Sequence, residues 1–326
     1  MLNSKNEFLV LFRLHWQTLN KRQRTALLHK KPARWRYPVA IEHTYATDIS
    51  EQLKKLVVSV FSKLEKRLPT WVRLNNQDAR MDSPEAELES LLEEVETEII
   101  QIFAAGYGLG GALDYIASVA NRIYAFEQTQ MESQIFAVLG APLKTSNTWW
   151  PEARALWENE NRRLIKSLSQ EYITKLNTTL MTGFQSGWSF EEMVESIKKL
   201  SDKMVGYRAR LLARDQVGKL QYAITRKQFE SIGMDGYYWI TSRNERVRGN
   251  PMGKYPKAIP SHWVMEGKVC KFSDPNVYLE DHAKWVPRTA RMPGVHPGQA
   301  ILCRCTATPY WIPLINEAIG TPEGGE

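Results

Sequence analysis

The apolar residues of this chain keep one period as far as Gly233 and another beyond it, and that switch sets what the chain can fold into. Upstream, apolar side chains recur at helical spacing. Leu53, Leu56, Val57, Val60 and Leu64 form one stripe that stops near Pro69, and Leu88, Leu91, Leu92, Val95, Ile99 and Ile102 form a second. Asp82-Ser83-Pro84 supplies a capping side chain and a first-turn proline for the second stripe. A long helix is predicted from about Pro151 to Gly183, after a connector over Thr145 to Pro151. Ser189 and Glu192 stand at capping-box spacing and open a shorter helix to about Leu200. Another helix is expected from about Val205 to Ile232, with Gly233 to end it.

Beyond Gly233 the pattern suits short strands. Tyr237 to Thr241 is aromatic and β-branched, and Val269 to Phe272 and Ile301 to Thr308 are weaker candidates. The expected fold class is therefore a mainly α N-terminal region followed by a small α+β C-terminal domain. The organisation read from the sequence is a helical docking region over 1–145, a helical-bundle segment over 146–232, the α+β domain over 233–315 and a flexible tail over 316–326. A length of 326 residues accommodates two domains. Gly106-x-Gly108-x-Gly110-Gly111 is not a phosphate loop, because no strand precedes it and no Lys-Ser/Thr follows. These glycines suit close helix packing. Ile99 to Ala120 is the most apolar stretch, but Gln101, Asp114 and four glycines favour a packed helix pair over a membrane span, so no membrane partner is expected.

Charge is segregated. Residues 1–80 carry 16 Lys/Arg against 6 Asp/Glu, whereas residues 81–100 carry 8 acids and no base. The acids suit a solvated face, or a docking surface for a basic partner. Lys21, Arg22, Arg24, Lys30, Lys31, Arg34 and Arg36 form an acid-free run interleaved with Trp35 and Tyr37. Cations with aromatics suit a nucleic-acid backbone or an acidic protein face, and equally a solvated helix face. Eleven tryptophans suggest large protein–protein contacts as well as cores. Cys270, Cys303 and Cys305 form no paired framework, and the N-terminus lacks the order of a signal peptide, so a soluble chain made in a reducing cytoplasm is expected.

The last third carries an ordered set of motifs. Ala213-Arg214-Asp215 is followed by Gly236-Tyr237-Tyr238-Trp239, then Arg246-Val247-Arg248, Ser261-His262, Gly267-Lys268-Val269, and Pro297-Gly298 with Cys303-Arg304-Cys305. Together, over roughly Gly187 to Pro313, they resemble the Mu F-like head morphogenesis family of tailed bacteriophages. Two features depart from that pattern. Asn244-Glu245 stands where the family has Asp, and Gly249 to Pro260 is inserted between Arg248 and His262. Pro251, Pro256 and Pro260 mark the insert as a surface loop.

The resemblance implies a minor head protein of the virion, assembled in the host cytoplasm beside the portal vertex and acting in DNA packaging. Its implied partners are the portal protein, other capsid or scaffold proteins, and packaged DNA. No catalytic residue and no cofactor is implied. Arg214, Asp215, Trp239, Arg246, Arg248, His262, Gly267, Cys303, Arg304 and Cys305 become a structural motif. Three chemistries remain open for its core. His262 with the arginines could serve acid–base work on a phosphate. Cys270, Cys303 and Cys305 with His262, His282 or His296 could hold zinc, although C-x-C is tighter than a usual knuckle. The arginines and His262 could instead form a hydrogen-bonded knot. Other function classes are a His/Arg-dependent RNA- or nucleotide-processing enzyme and a cytoplasmic nucleic-acid-binding protein.

If the run Lys21 to Arg36 engages duplex DNA, affinity should fall with salt at a log–log slope of about −0.9 per phosphate contacted. A filter-binding series across salt concentrations measures this, and a flat response would assign the run to protein contacts.

Overall fold

A computed structural model of the protein describes residues 4–77, 93, 97, 101, 111–281 and 283–320. The cap at Asp82 to Pro84, most of the second apolar stripe with its acids, and Gly106 to Gly110 lie outside the described residues. In chain order the elements are α1 (Ser4–Thr18), α2 (Lys21–His29), α3 (Val39–Gln77), α4 (Gly111–Leu139), α5 (Trp150–Gln185), α6 (Phe190–Asp202), a π-helical turn Lys203–Arg208, α7 (Ala209–Ser231), β1 (Gly236–Ile240), a 3-10 turn Trp263–Met265, β2 (Val269–Lys271), β3 (Asp274–Glu280), β4 (Lys284–Pro287), β5 (Thr306–Pro309) and α8 (Ile312–Ile319). Helices up to Ser231 and a small sheet after it bear out the expected fold class. Among the described residues no helix is long and apolar enough to cross a membrane.

Two compact units divide the chain, one comprising residues 40–120 and 154–213, the other 1–39, 121–153 and 214–326. This partition follows spatial contacts and not the linear order 1–145, 146–232, 233–315. In the first unit the stripe Leu53, Leu56, Val60, Leu64 and Leu68 is buried, and α3 continues through Pro69 where the periodicity alone suggested a stop. Packing of Leu64 and Leu68 carries the helix past the hydrogen bond that proline removes. Ser189 and Glu192 form the reciprocal capping box that starts α6. Two buried hydroxyls here are paired: that of Tyr45 reaches Asn161 at 2.5 Å and that of Tyr172 meets Ser201 at 3.0 Å.

The second unit is built on a five-stranded antiparallel sheet in the order β4-β3-β2-β1-β5. Gly233 takes φ +72° and ends α7 in the left-handed conformation that costs glycine least. β1 forms as expected, but β5 begins only at Thr306, and residues 301–305 are turn and irregular chain. The tail expected to fray from Asn316 is helical to Ile319, because Leu314, Ile315 and Ala318 are buried. That helix packs on α1, with Phe8 and Trp311 stacked at 5.5 Å and the Arg13 Nε donating to the Ala318 carbonyl at 2.6 Å.

The basic run leads into an extended arm, residues 30–38, that lies beside the edge strand β5. The Trp35 N–H donates to the Thr308 hydroxyl at 2.8 Å, and the Thr306 hydroxyl donates to the Trp35 carbonyl at 2.9 Å. Side-chain amides of Gln130, Gln134 and Gln221 bind the main chain of Ala33 and Arg36. Trp35 itself is buried and donates its indole N–H to Glu127 at 2.5 Å. Gln130, Gln221 and Thr225 donate to the same carboxyl at 3.2, 3.0 and 2.9 Å. Burial pushes Glu127 up to about 8, against the pull of these four donors.

A glutamate in the unfolded chain titrates near 4.5. The folded chain therefore binds the extra proton between about pH 4.5 and 8, and the stability this contributes is complete below 4.5 and lost as pH rises through 8. Glu127→Gln should flatten the difference in melting temperature between mildly acidic and mildly alkaline buffer. Melts with the same pH slope in both proteins would refute the assignment to Glu127.

Candidate functional site at the Cys-x-Cys corner

The sequence motifs of the last third converge where α7, the 3-10 turn and the entry to β5 meet. Chain entering a strand alternates its side chains, so Cys303 and Cys305 share one side and Arg304 takes the other. Arg304 lies over the Tyr37 ring at 5.6 Å. Cys303 and Cys305 are buried and face His262, whose Nδ1 is 3.4 Å from the first Sγ and 3.6 Å from the second. The Trp239 ring meets His262 edge-on at 5.6 Å. Within the cluster a hydrogen bond from Cys305, aided by His262, holds the Cys303 thiol well below its ordinary range. The same bond and burial push Cys305 well above it.

Three devices bring the corner this close to α7. Leu302 adopts φ +59°, and its N–H donates to Asp215 Oδ1 at 3.2 Å. Asp215 also makes an intrahelical bridge to Lys219 at 2.6 Å, so it joins the helix to the turn. A Cβ on Gly218 would stand 2.8 Å from the Cys303 carbonyl, and one on Gly298 would stand 2.9 Å from the Gly218 carbonyl. Only glycine fits at both positions, since backbone cannot recede as a flexible side chain can. Arg214 contributes its carbonyl, which accepts from the Tyr37 hydroxyl at 3.2 Å.

The remaining motif residues take other parts. Gly267 has φ +75°, and its N–H donates to the Trp239 carbonyl at 2.8 Å. Arg246 and Arg248 are exposed, so their side chains do not enter the buried cluster. Arg248 acts mainly through its carbonyl, which accepts from the His262 and Trp263 N–H groups, while its guanidinium reaches the Ile259 carbonyl in the inserted loop. Arg288 ties more main chain than Arg248 does. It donates to the carbonyls of Val277, Pro293 and Val295 and lies over the Trp239 ring. No motif marks Arg288; its place just after β4 shows only once β3 and β4 are paired.

Cys270 lies elsewhere in the core, and the Cys303–Cys305–His262 group excludes it. His296 is buried on the Tyr237 hydroxyl at 2.8 Å, and burial with the nearby Arg288 lowers it to about 4, so it stays neutral. His282 lies outside the described residues. Glu266, also unmarked in the sequence, would be raised by burial. Arg34, the Thr241 N–H and hydroxyl, and Arg243 bring it down instead to about 2.

Of the seven basic residues, Arg34 is thus committed to Glu266 and the Thr241 carbonyl. Arg24 donates to the Trp16 carbonyl and lies over the Trp16 ring, and Arg36 lies over Phe126. Lys21, Arg22, Lys30 and Lys31 are exposed. Trp35 is buried, and Arg304 lies over the Tyr37 ring.

Residues 174–308 match the family described as Phage Mu protein F like protein. The chain is 28% identical over 186 residues to an uncharacterized protein of Haemophilus influenzae, covering 57% of this chain and 35% of the relative. It is 25% identical over 242 residues to an uncharacterized protein of Methanocaldococcus jannaschii, covering 74% of this chain and 29% of the relative. The chain thus spans about a third of the length of these curated relatives. No solved structure matches it significantly.

Arg288→Ala strands three carbonyls and should cost on the order of 3 kcal/mol. Arg246→Ala removes an exposed side chain and should stay within about 0.5 kcal/mol. Denaturant melts of the two variants test this, and equal losses would return the knot to Arg246.

Proposed function

We propose that the protein is a minor head protein of a tailed bacteriophage, acting in head morphogenesis next to the portal vertex and not as an enzyme. The observation that carries this reading is the Mu F-like match over residues 174–308. The geometry supports it. Cys303, Cys305 and His262 turn on one another, and the exposed side chains of Arg246 and Arg248 stand outside that cluster. The partners are the portal protein and neighbouring capsid or scaffold proteins, and the place of action is the virion. Packaged DNA is a second contact, through Lys21, Arg22, Lys30 and Lys31, whereas Arg24, Arg34 and Arg36 are engaged with Trp16, Glu266 and Phe126.

Co-expression of the full chain with its cognate portal should yield a complex that co-purifies at moderate salt, and virions should contain the protein. Separate elution, with virions lacking it, would overturn the reading. Lys21, Arg22, Lys30 and Lys31 replaced together by Ala should lessen any DNA retention several-fold without lowering the melting temperature. Unchanged retention would remove DNA from the partners.

A further inference from the structure

We infer that His262, Cys303 and Cys305 form a binding site for a single thiophilic divalent cation of the zinc class, which clasps the Cys-x-Cys corner to the 3-10 turn. Their three ligand atoms lie within 4.8 Å of one another, and all three residues are buried. Zinc binds sulfur at about 2.3 Å and imidazole nitrogen at about 2.0–2.1 Å, so a tetrahedral centre separates S from N by about 3.5–3.6 Å. The two sulfurs stand 3.4 and 3.6 Å from His262 Nδ1. The spacing is that of two edges of a zinc tetrahedron.

Hydrogen bonding alone accounts poorly for the arrangement. An imidazole Nδ1 has either one proton or one lone pair, directed in the ring plane, and so makes one good hydrogen bond. Two thiols converge on it here at nearly equal distance. A cation in the middle gives each of the three groups a full bond and removes the competition. The donor set, two soft sulfurs and one borderline nitrogen, selects zinc-class ions over magnesium or calcium, which take oxygen. Among the described residues no fourth His, Cys, Asp or Glu joins the group. Cys270 lies outside the group and serves as an internal control.

The role is structural. Cys303 and Cys305 enter β5, and His262 opens the 3-10 turn that follows the inserted loop. The ion would join two segments 41 residues apart in sequence. This inference does not depend on the phage assignment, because it concerns these three side chains alone.

The test uses tag-free full-length protein purified without added metal. Elemental analysis after dialysis should find about one equivalent of zinc. Replacing it with cobalt should give thiolate-to-cobalt charge-transfer bands and the visible bands of a tetrahedral ion. Cys303→Ser, Cys305→Ser and His262→Ala should each lower the bound metal at least tenfold, and Cys270→Ser should leave it unchanged. Chelation should lower the melting temperature of the wild-type protein, and zinc should restore it. If the three ligand variants do not fold, the cobalt spectrum of the wild-type chain decides alone. A folded wild-type protein that carries no zinc and gives no cobalt bands overturns the proposal, as does loss of metal in Cys270→Ser with retention in Cys303→Ser. Portal binding by a metal-free chain would leave the functional reading standing while this one fell.

Discussion

An indole N–H donating into a carboxyl group with no access to water is the contact on which the sheet-bearing unit rests. Trp35 and Glu127 meet at 2.5 Å, and three further donors surround the same carboxyl. Burying such a group unpaired would cost several kcal/mol. The surrounding groups must therefore be placed accurately, and placing them brings together the extended arm, α4 and α7. The arm's main chain is then taken up by glutamine side chains on one side and threonine hydroxyls of β5 on the other. That disposes of an exposed sheet edge, the usual hazard of a small sheet. It also turns Trp35 inward and leaves its basic neighbours outward.

Close approach is the second constraint. Gly218 and Gly298 remove the side chains that would keep α7 away from the corner, and Asp215 receives the N–H of Leu302 at the point where the chain must turn left-handed. Helix, turn and strand entry are thereby fixed before any metal or partner is considered. The cysteines need no special backbone of their own, since alternation along the chain puts both on the face of His262. Arg288 does on the opposite flank what Asp215 does on this one, tying three carbonyls that lie outside the sheet ladder.

Much of this was legible in the residues. The capping box at Ser189, the stop at Gly233 and the strand at Tyr237 are local signals whose physics is complete within a few residues. The order of motifs through Cys305 also pointed to the family. What the sequence concealed depends on distant partners. Pro69 reads as a stop because the packing of Leu64 and Leu68 is invisible locally. Lys21 to Arg36 reads as a uniform basic face, yet Arg34 finds its carboxylate at Glu266, 232 residues away. Arg246 and Arg248 look like the knot because they sit in the motif, whereas Arg288 has no signature. β4 pairs with β3 and β3 also with β2, partners that no local pattern announces, so neither β3 nor β4 stood out alone.

The pairing of α1 with α8 has a consequence for the time course of synthesis. Arg13 and Ala318 are 305 residues apart. At roughly 5–20 residues per second a ribosome needs on the order of 15–60 seconds to make the second after the first. Through that interval Phe8 and Phe12 have no Trp311 or Leu314 to cover them, and the arm has no β5 beside which to lie. The second unit therefore closes late and in one step, as a clasp between early and late chain. Until then the nascent protein offers the cell an amphipathic helix and a basic strand without their counterparts, and holding those apart from other nascent chains is work for chaperones.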